Sequence, residues 1–563
     1  PKLIIENNLH GIDLDDRAVQ LAQLGLFIKA KKKRRTIGEL AFNVVSSDFY
    51  LPEYDVVKDI FETAKYAKSA KGEEENFTSL VPFAVNPLGD EQKELIREIW
   101  DDLKYAYKFG SLIRIDERVN AKLKQIEERA EYDLFGQTDL EAHKDFAATF
   151  FTNLKTAVEQ YAQAQGSTFL TSKTRDAITF LELLTTEYDV ATANPPYTDS
   201  ADFGPELKEF IEDNYKKPYK FHTNLYATFI KRSYDFTGKA GFVAMVHPPT
   251  FMYIKTFEDV RKFMVDKTHI NFFVEWGYLG MFNPSARVDS ALYILEKSNN
   301  QRKDAVFVKL NHLYETKRYD ALFEAYEKFL SGGSHELLYT IPQAKLKIIK
   351  SWPFIYWISD EFREKFGAAD IKSLLSPAQG AATTNNLRFL RFWWEVDPEC
   401  ISENYREDKK KWVVYSKGGP FEKWYGNLWL VGNYENNASE MRSVGAVLRN
   451  SNLYLLEGVT YSASGSKGAS FRYLPKNCFF DTGGSCIFAN KKFKNHFYLL
   501  GFMNSKLVSY IVDCLNPTVN AQVGDMQRVP FVLPSKDNEA NVAKYVERNV
   551  NIKKGLSLDH IAE

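Results

Sequence analysis

The run Tyr188-Asp189-Val190-Ala191-Thr192-Ala193 ends in Asn194-Pro195-Pro196-Tyr197. These last four residues suit one kind of chemistry, alkylation of an amine conjugated to an aromatic ring. Such a nitrogen is a weak nucleophile because its lone pair is delocalised. Two acceptors aimed at its N–H groups, the Asn194 side-chain oxygen and the Pro195 carbonyl, draw it toward tetrahedral geometry. The lone pair is then localised for attack on a methyl group. The prolines hold the backbone extended, so the acceptors are placed before the substrate arrives. Tyr197 offers a flat face on which a base taken out of a duplex can stack. A strand-ending turn uses the same residue types, so the neighbouring segments must discriminate.

Acceptors of this kind need a rigid strand beneath them, and other strands to complete a pocket. Leu9-His10-Gly11-Ile12-Asp13 reads as a strand ending in an acid. Asp16 can cap the helix that follows, where Ala18, Leu21, Ala22, Leu24 and Ile28 form an apolar stripe. Lys31-Lys32-Lys33-Arg34-Arg35 closes that helix, where cations complement the helix dipole. Asn43-Val44-Val45-Ser46-Ser47-Asp48 reads as a second strand ending in an acid. Phe242 to Pro248, Ile270 to Val274 and Ala291 to Leu295 read as buried strands. Strands alternating with helices imply a parallel-rich sheet covered on both faces. Ligands of such sheets bind outside the carboxyl ends of the strands. An acid there can accept two ribose hydroxyls, and a second acid, one strand over, an adenine amino group. Asp13 and Asp48 supply the acids, and Phe49 can lie against an adenine ring. A helix cap or a turn explains each acid alone. The ordered set of acid, acid and Asn-Pro-Pro-Tyr is harder to reach by chance.

The remaining chain divides by composition. At 563 residues it exceeds one core. Hydrophobic residues make up 44% and charged residues 26%, which suits a globular protein. No apolar run approaches the roughly 20 residues of a membrane span. The expected parts are a first core segment at 1–57, a helical insertion at 58–170 and a second core segment at 171–300. A helical connection at 301–345, a module at 346–535 and a helical tail at 536–563 follow. The polar stretch 298–304 reads as a linker. The 346–535 module is rich in tryptophan and punctuated by glycine, which implies strands with helices near its end. Cys400, Cys478, Cys486 and Cys514 show no Cys-x-x-Cys spacing, so reduced, mostly buried thiols in a cytosolic protein are expected, with no metal. Net charge is −1, yet residues 405–530 hold 16 basic against 9 acidic residues. A basic module on an otherwise acidic chain is compatible with a phosphate-binding face.

With these segments in view, the chain resembles the amino-group-methylating, AdoMet-dependent DNA methyltransferases of the N6-adenine type. It resembles more closely the PglX family of adenine-specific methyltransferases from bacteriophage-exclusion (BREX) systems. Glu6 to Asp15, Phe109-Gly110-Ser111-Leu112-Ile113, Ala193 to Tyr197 and Asn224 to Phe229 carry the match, with Phe389 to Glu395 and Leu515 to Thr518. The resemblance implies a Rossmann-like α/β sheet with a C-terminal α+β target-recognition domain. It implies S-adenosyl-L-methionine as methyl donor, with Asp13 on the ribose and Asp48 and Phe49 on the cofactor adenine. Asn194, Pro195, Pro196 and Tyr197 take the target base, and Tyr226 and Phe229 line the cofactor pocket or the core. Double-stranded DNA is the implied substrate, in a bacterial cytoplasm. Other BREX proteins, or a phage-encoded inhibitor, are implied as partners.

One element of that pattern has no counterpart. The Gly-rich loop that holds the methionine end of AdoMet follows a strand preceding the Asp13 strand, and the sequence opens at Pro1-Lys2-Leu3. A chain lacking its first strand and that loop is therefore expected, poor alone at binding AdoMet. For DNA contact, Arg388, Arg391, Trp393 and Trp394 mix cations with aromatics. Ser462, Ser464, Lys467 and Arg472 read as a Gly/Ser-rich loop suited to a phosphate backbone. Core packing and a plain surface loop are the competing readings. His247 reads as a turn histidine. Two other functions stand beside DNA methylation: methylation of a protein glutamine, and a DNA-recognition or assembly subunit without catalysis of its own. A fused restriction–modification protein is a further possibility.

Overall fold

The computed structural model describes residues 1–49, 54, 90–118, 121, 168–282, 287–298, 303–465, 468–517 and 520–557. Most of the helical insertion expected at 58–170 lies outside them. The fold is mixed α/β with several sheets. It divides into two compact units, Pro1–His247 with Tyr293–Ser298, and Pro248–Leu292 with Asn299–Glu563.

In the first unit, β1 (His10–Asp13) pairs in parallel with β2 (Asn43–Ser46), in the register Asp13↔Ser46. Parallel neighbours need a crossover, and α1 (Asp16–Lys33) supplies it. Its N-cap is Asp15, whose carboxylate accepts the Arg17 N–H; Asp16 instead occupies the first turn. The last turn carries Lys31, Lys32 and Lys33, and Lys31 Nζ donates to the Ile37 carbonyl (2.7 Å). The apolar stripe of α1 is not its buried face. Leu21, Leu24 and Ile28 are 69%, 53% and 46% exposed, while Val19 and Ala30 are buried.

The core of this unit lies beneath β2. Val45, Trp100, Leu103 and Ile113 pack with Phe180, Leu181 and Leu184, drawing on α2 (Asp90–Leu103) and α3 (Thr168–Thr185). Next, β3 (Tyr188–Ala193) pairs in parallel with β4 (Thr237–His247), Thr192 beside Ala244 and Ala193 beside Met245. The crossover holds α4 (Pro205–Tyr215) and α5 (Leu225–Phe236). Arg232 of α5 is fully buried. Its guanidinium donates to the Ser111 carbonyl (2.7 Å), the Ile113 carbonyl (2.8 Å) and the Asp116 carboxylate (2.8 Å). Every arm of the cation is thereby satisfied, which makes its burial tolerable.

In the second unit, β5 (His269–Tyr278) pairs in parallel with β7 (Asp304–Lys309), and β7 in antiparallel with β8 (Leu338–Pro342). The division between the two units falls at Ser298 and Asn299, within the polar stretch 298–304. Between them in sequence, β6 (Asp289–Glu296) has its Tyr293–Glu296 half in the first unit. Glu275 is a buried hub of β5. It accepts from the Tyr253 hydroxyl (2.9 Å), Asn311 Nδ2 (2.7 Å) and the Tyr356 hydroxyl (2.7 Å). Burial raises both phenols far above their ordinary range, so they stay protonated and donate.

Beyond residue 370 the pattern is short strands followed by helices. One sheet joins Phe471–Leu474, Gly458–Tyr461, Cys486–Phe488 and Ser376–Ala378. A second joins Leu390–Phe392, Leu430–Asn433, Trp412–Ser416 and Cys478–Phe480. Gly380 runs so close to the last residue of that second sheet's edge strand that a Cβ would fall 1.9 Å from the Phe480 carbonyl. Helices His496–Met503, Lys506–Leu515 and Lys536–Leu556 follow. Cys478, Cys486 and Cys514 are buried and free, and Cys400 is exposed. Burial pushes the Cys478 thiol up to about 12. Among the described residues no helix is long and apolar enough to cross a membrane.

Replacing Arg232 with Met leaves Asp116 without its cation and two buried carbonyls without donors. The variant should lose about 3 kcal/mol of unfolding free energy in urea melts. An unchanged melt would show that the ion pair is dispensable.

Candidate active site

The pairing of β3 with β4 runs in register to Ala193 and Met245, so the two strands end side by side. Asn194 is exposed and Pro195 buried beneath it, with Tyr197 half-buried. The Tyr197 hydroxyl donates to Asn194 Oδ1 (3.0 Å) and stands 3.5 Å from the Val246 carbonyl. Desolvation raises the pKa of that phenol, so it is a donor at neutral pH. The loop after Tyr197 is fastened to α5. Leu225 N–H donates to the Thr198 carbonyl (3.0 Å), and Asp199 forms a β-bridge with Asn224. Asn224 caps α5 by accepting the Tyr226 N–H (3.2 Å).

His247 is the last residue of β4 and wholly buried, not a turn residue. Its ring lies flat on Tyr226 (4.3 Å between centroids, 9° between planes). Its Nε2 meets the Tyr293 hydroxyl at 2.7 Å. Composition could not show this, because the partners come from α5 and β6.

A second group forms where β1 and β2 end. The Ser47 N–H donates to the Asp13 carbonyl (2.9 Å), which brings the segments bearing Asp13 and Asp48 together. Both carboxylates face solvent. Asp13 Oδ1 accepts the Asp15 N–H (2.8 Å), and the Asp48 N–H donates to Ser46 Oγ (3.0 Å). Between the acids, Ser47 Oγ is buried with no hydrogen-bond partner among the described residues. Gly110 approaches the same place with φ +52°. A Cβ there would lie 3.0 Å from Leu14 Cδ2 and 3.6 Å from Ser47 Oγ. Two exposed carboxylates, a buried hydroxyl without a hydrogen-bond partner among the described residues and a side-chain-free cradle fit a ligand edge rich in hydroxyl and amine donors. Phe49 is partly buried and packs against Phe180 (5.2 Å) at the edge of the core. Ser47 was not singled out from sequence, and Gly110 only as part of a resemblance. Their signal is a small residue beside a strand-end acid. The two strand pairs adjoin at their beginnings, where His10 meets Tyr188 at 5.3 Å.

The described residues expected to touch DNA differ in exposure and partners. Arg388 donates through Nε and Nη2 to Glu440 Oε1 (3.0 and 2.8 Å). Arg391 donates to the Leu387 and Leu390 carbonyls (2.7 Å each). Trp393 is half-buried, its Nε1 shielded and without a partner among the described residues. Beside it, Phe392 and Trp394 are exposed and stacked (4.7 Å, 8°). Ser464 is exposed and bridges to Asn520, and Lys467 lies outside the described residues. Arg472 corrects the expectation most clearly. It sits in the strand Phe471–Leu474, wholly buried, because that strand is covered on both faces, with Phe471 and Leu474 buried as well. Its contacts are Ser462 Oγ (3.2 Å), Ser470 Oγ (3.4 Å) and the Ser470 carbonyl (3.5 Å). Burial lowers its pKa to about 10.

Residues 7–282 match the family of Eco57I restriction-modification methylases. The matched segment, just under half of the chain, is similar to the methylases of that family. Both strand-end groups fall inside the matched segment. The chain is 27% identical over 543 residues to the adenine-specific methyltransferase BrxX of Escherichia coli O9:H4 (strain HS), covering 94% of this chain and 41% of that one. It is 25% identical over 574 residues to the adenine-specific methyltransferase PglX of Lacticaseibacillus casei (strain Zhang), covering 97% and 42%. The chain therefore spans about two fifths of the length of these relatives. Among solved structures, the Type IIL restriction-modification enzyme MmeI in complex with DNA aligns at a TM-score of 0.43 and 9% identity, over 84% of this chain and 72% of that one. That likeness is too loose to bear on the site.

The burial of Arg472 yields a test outside the segment that matches the methylase family. A charged group held below its ordinary pKa costs stability wherever it is charged in the unfolded chain. Arg472→Met should therefore melt at the same temperature or higher. A loss of more than about 1 kcal/mol would show that the weak serine contacts matter more than desolvation.

Proposed function

We propose that this chain is the catalytic and DNA-reading part of an AdoMet-dependent adenine-N6 DNA methyltransferase. The observation that carries the reading is Asn194-Pro195-Pro196-Tyr197 at the end of a parallel strand, inside a segment that matches a methylase family. The relatives are named adenine-specific methyltransferases, which favours adenine over a protein glutamine as acceptor.

The chemistry assigned to the bound methyl donor is one electrophilic methyl group. Asp13 accepts from its ribose, and Asp48 accepts from its adenine with Phe49 alongside. Ser47 Oγ gains a partner, and Gly110 leaves the space. At the other strand end, Asn194 Oδ1 and the Pro195 carbonyl accept the N–H bonds of the target amine. Tyr197 stacks on the flipped adenine, paying part of the cost of unstacking it. Transfer is direct, so no nucleophilic cysteine takes part. This agrees with thiols that burial pushes up, as at Cys478 and Cys486.

The β-rich module beyond residue 370 is the proposed target-recognition domain, with the exposed Phe392–Trp394 stack and the neighbouring Arg388 and Arg391 as its DNA-facing part. From the sequence resemblance to the PglX family, the proposed setting is BREX-type antiphage defence in a bacterial cytoplasm, where the enzyme would mark host DNA. Other BREX proteins, or a phage-encoded inhibitor, are the proposed partners.

Full-length protein incubated with unmethylated DNA and AdoMet should yield N6-methyladenine on nuclease digestion and mass spectrometry. Asn194→Ala should cut that yield at least about 100-fold, the usual cost of losing one preorganised polar group, with unchanged circular dichroism. Undiminished methylation by the variant would sink the mechanism. Asp13→Ala should raise the Kd for S-adenosylhomocysteine about tenfold, the worth of a hydrogen bond to a charged group. Calorimetry showing equal affinity would remove Asp13 from the cofactor site.

A further inference from the structure

The end of β4 holds polar groups that the proposed reaction does not use. In the resting structure Asn194 Oδ1 is already occupied, since the Tyr197 hydroxyl donates to it at 3.0 Å. An oxygen that must accept an amine N–H is best freed as the base arrives. A half-buried hydroxyl gives up its acceptor cheaply only when another stands ready. The Val246 carbonyl is that second acceptor, 3.5 Å from the same hydroxyl. It is a backbone oxygen, so its place depends on how the end of β4 is held.

His247 holds it. The residue follows Val246 directly, is wholly buried, and belongs to the same compact unit as Asn194 and Tyr197. Stacking on Tyr226 sets the plane of its ring. The contact of Nε2 with the Tyr293 hydroxyl sets its rotation within that plane. Burial keeps the Tyr293 phenol protonated, so it donates and Nε2 accepts. Met245 Sδ lies 3.6 Å from the same hydroxyl and is a far weaker acceptor. Tyr226 is also the residue whose N–H Asn224 caps. The stack therefore joins the end of β4 to the start of the helix that anchors the catalytic loop.

We propose that His247 is a positioning residue for methyl transfer: fixed between Tyr226 and Tyr293, it places the Val246 carbonyl to take over the Tyr197 hydroxyl as the target amine claims Asn194 Oδ1. This rests on the methyltransferase reading above. A histidine that merely filled the core would be replaceable by an aromatic ring of similar size without effect on turnover.

A double-mutant cycle in the full-length protein separates the two. His247→Phe keeps the stack and removes the hydrogen bond; Tyr293→Phe removes the same bond with the least change of shape. Each should lower kcat for DNA methylation about fivefold, the worth of one hydrogen bond, with KM for DNA and AdoMet unchanged. In a Tyr197→Phe background there is no hydroxyl to hand over. There the same substitutions should change kcat less than about twofold, an interaction that appears only between coupled residues. Equal losses in both backgrounds, or no loss in either, would overturn the positioning role while leaving the enzyme reading intact. If His247→Phe melts early, Tyr293→Phe alone decides between these outcomes. Absence of N6-methyladenine with the unaltered protein would instead overturn the enzyme reading, and this inference with it.

Discussion

Parallel strand pairing is the constraint on which the candidate site depends. Parallel neighbours end on the same edge of a sheet, and each is followed by a turn rather than a hairpin. The pairing of Tyr188–Ala193 with Thr237–His247 therefore sets the Asn194 loop beside Val246 and His247, about fifty residues later in the chain. The pairing of His10–Asp13 with Asn43–Ser46 does the same for Asp13 and the Ser47–Asp48 segment. Chemistry that needs several polar groups at one place is met by strand ends, where backbone ladders stop and side chains take over.

Buried polar groups show how that scaffold is held. Arg232 is tied to two carbonyls and a carboxylate, and Glu275 receives three donors. Each fastens segments distant in sequence at little net electrostatic cost. Arg472 has only long contacts to neutral oxygens, so it carries a desolvation penalty that the others avoid. At the strand ends Asp13, Asp48 and Asn194 are exposed, and the buried Ser47 Oγ has no hydrogen-bond partner among the described residues.

Much of this was legible without coordinates. The strands before Asp13 and Asn194, and those around Val243, Phe273 and Tyr293, follow from apolar runs bounded by turn residues. The loop chemistry follows from prolines that restrict their own backbone and that of the residue before them. Other features resisted reading. Asp15 rather than Asp16 caps the helix Asp16–Lys33, because Asp15 keeps extended backbone angles while Asp16 is already helical. Leu21, Leu24 and Ile28 have helical spacing, yet the helix buries Val19 and Ala30 instead. Ser47 and Gly110 gained meaning only when two segments about sixty residues apart met. His247 looked like a turn residue because Tyr226 and Tyr293, which explain it, lie twenty-one and forty-six residues away.

The sequence by itself determined the local chemistry: which strand ends carry acids, where prolines stiffen a loop, and which residue types can accept from an amine. Those properties depend on covalent structure and on neighbours a few residues away. Only the tertiary structure decided which polar groups meet, which cations are buried, and that the Tyr197 hydroxyl stands between Asn194 and the Val246 carbonyl. Such contacts are set by strand register and helix packing. They sum over many weak long-range terms, and no short stretch of sequence contains them.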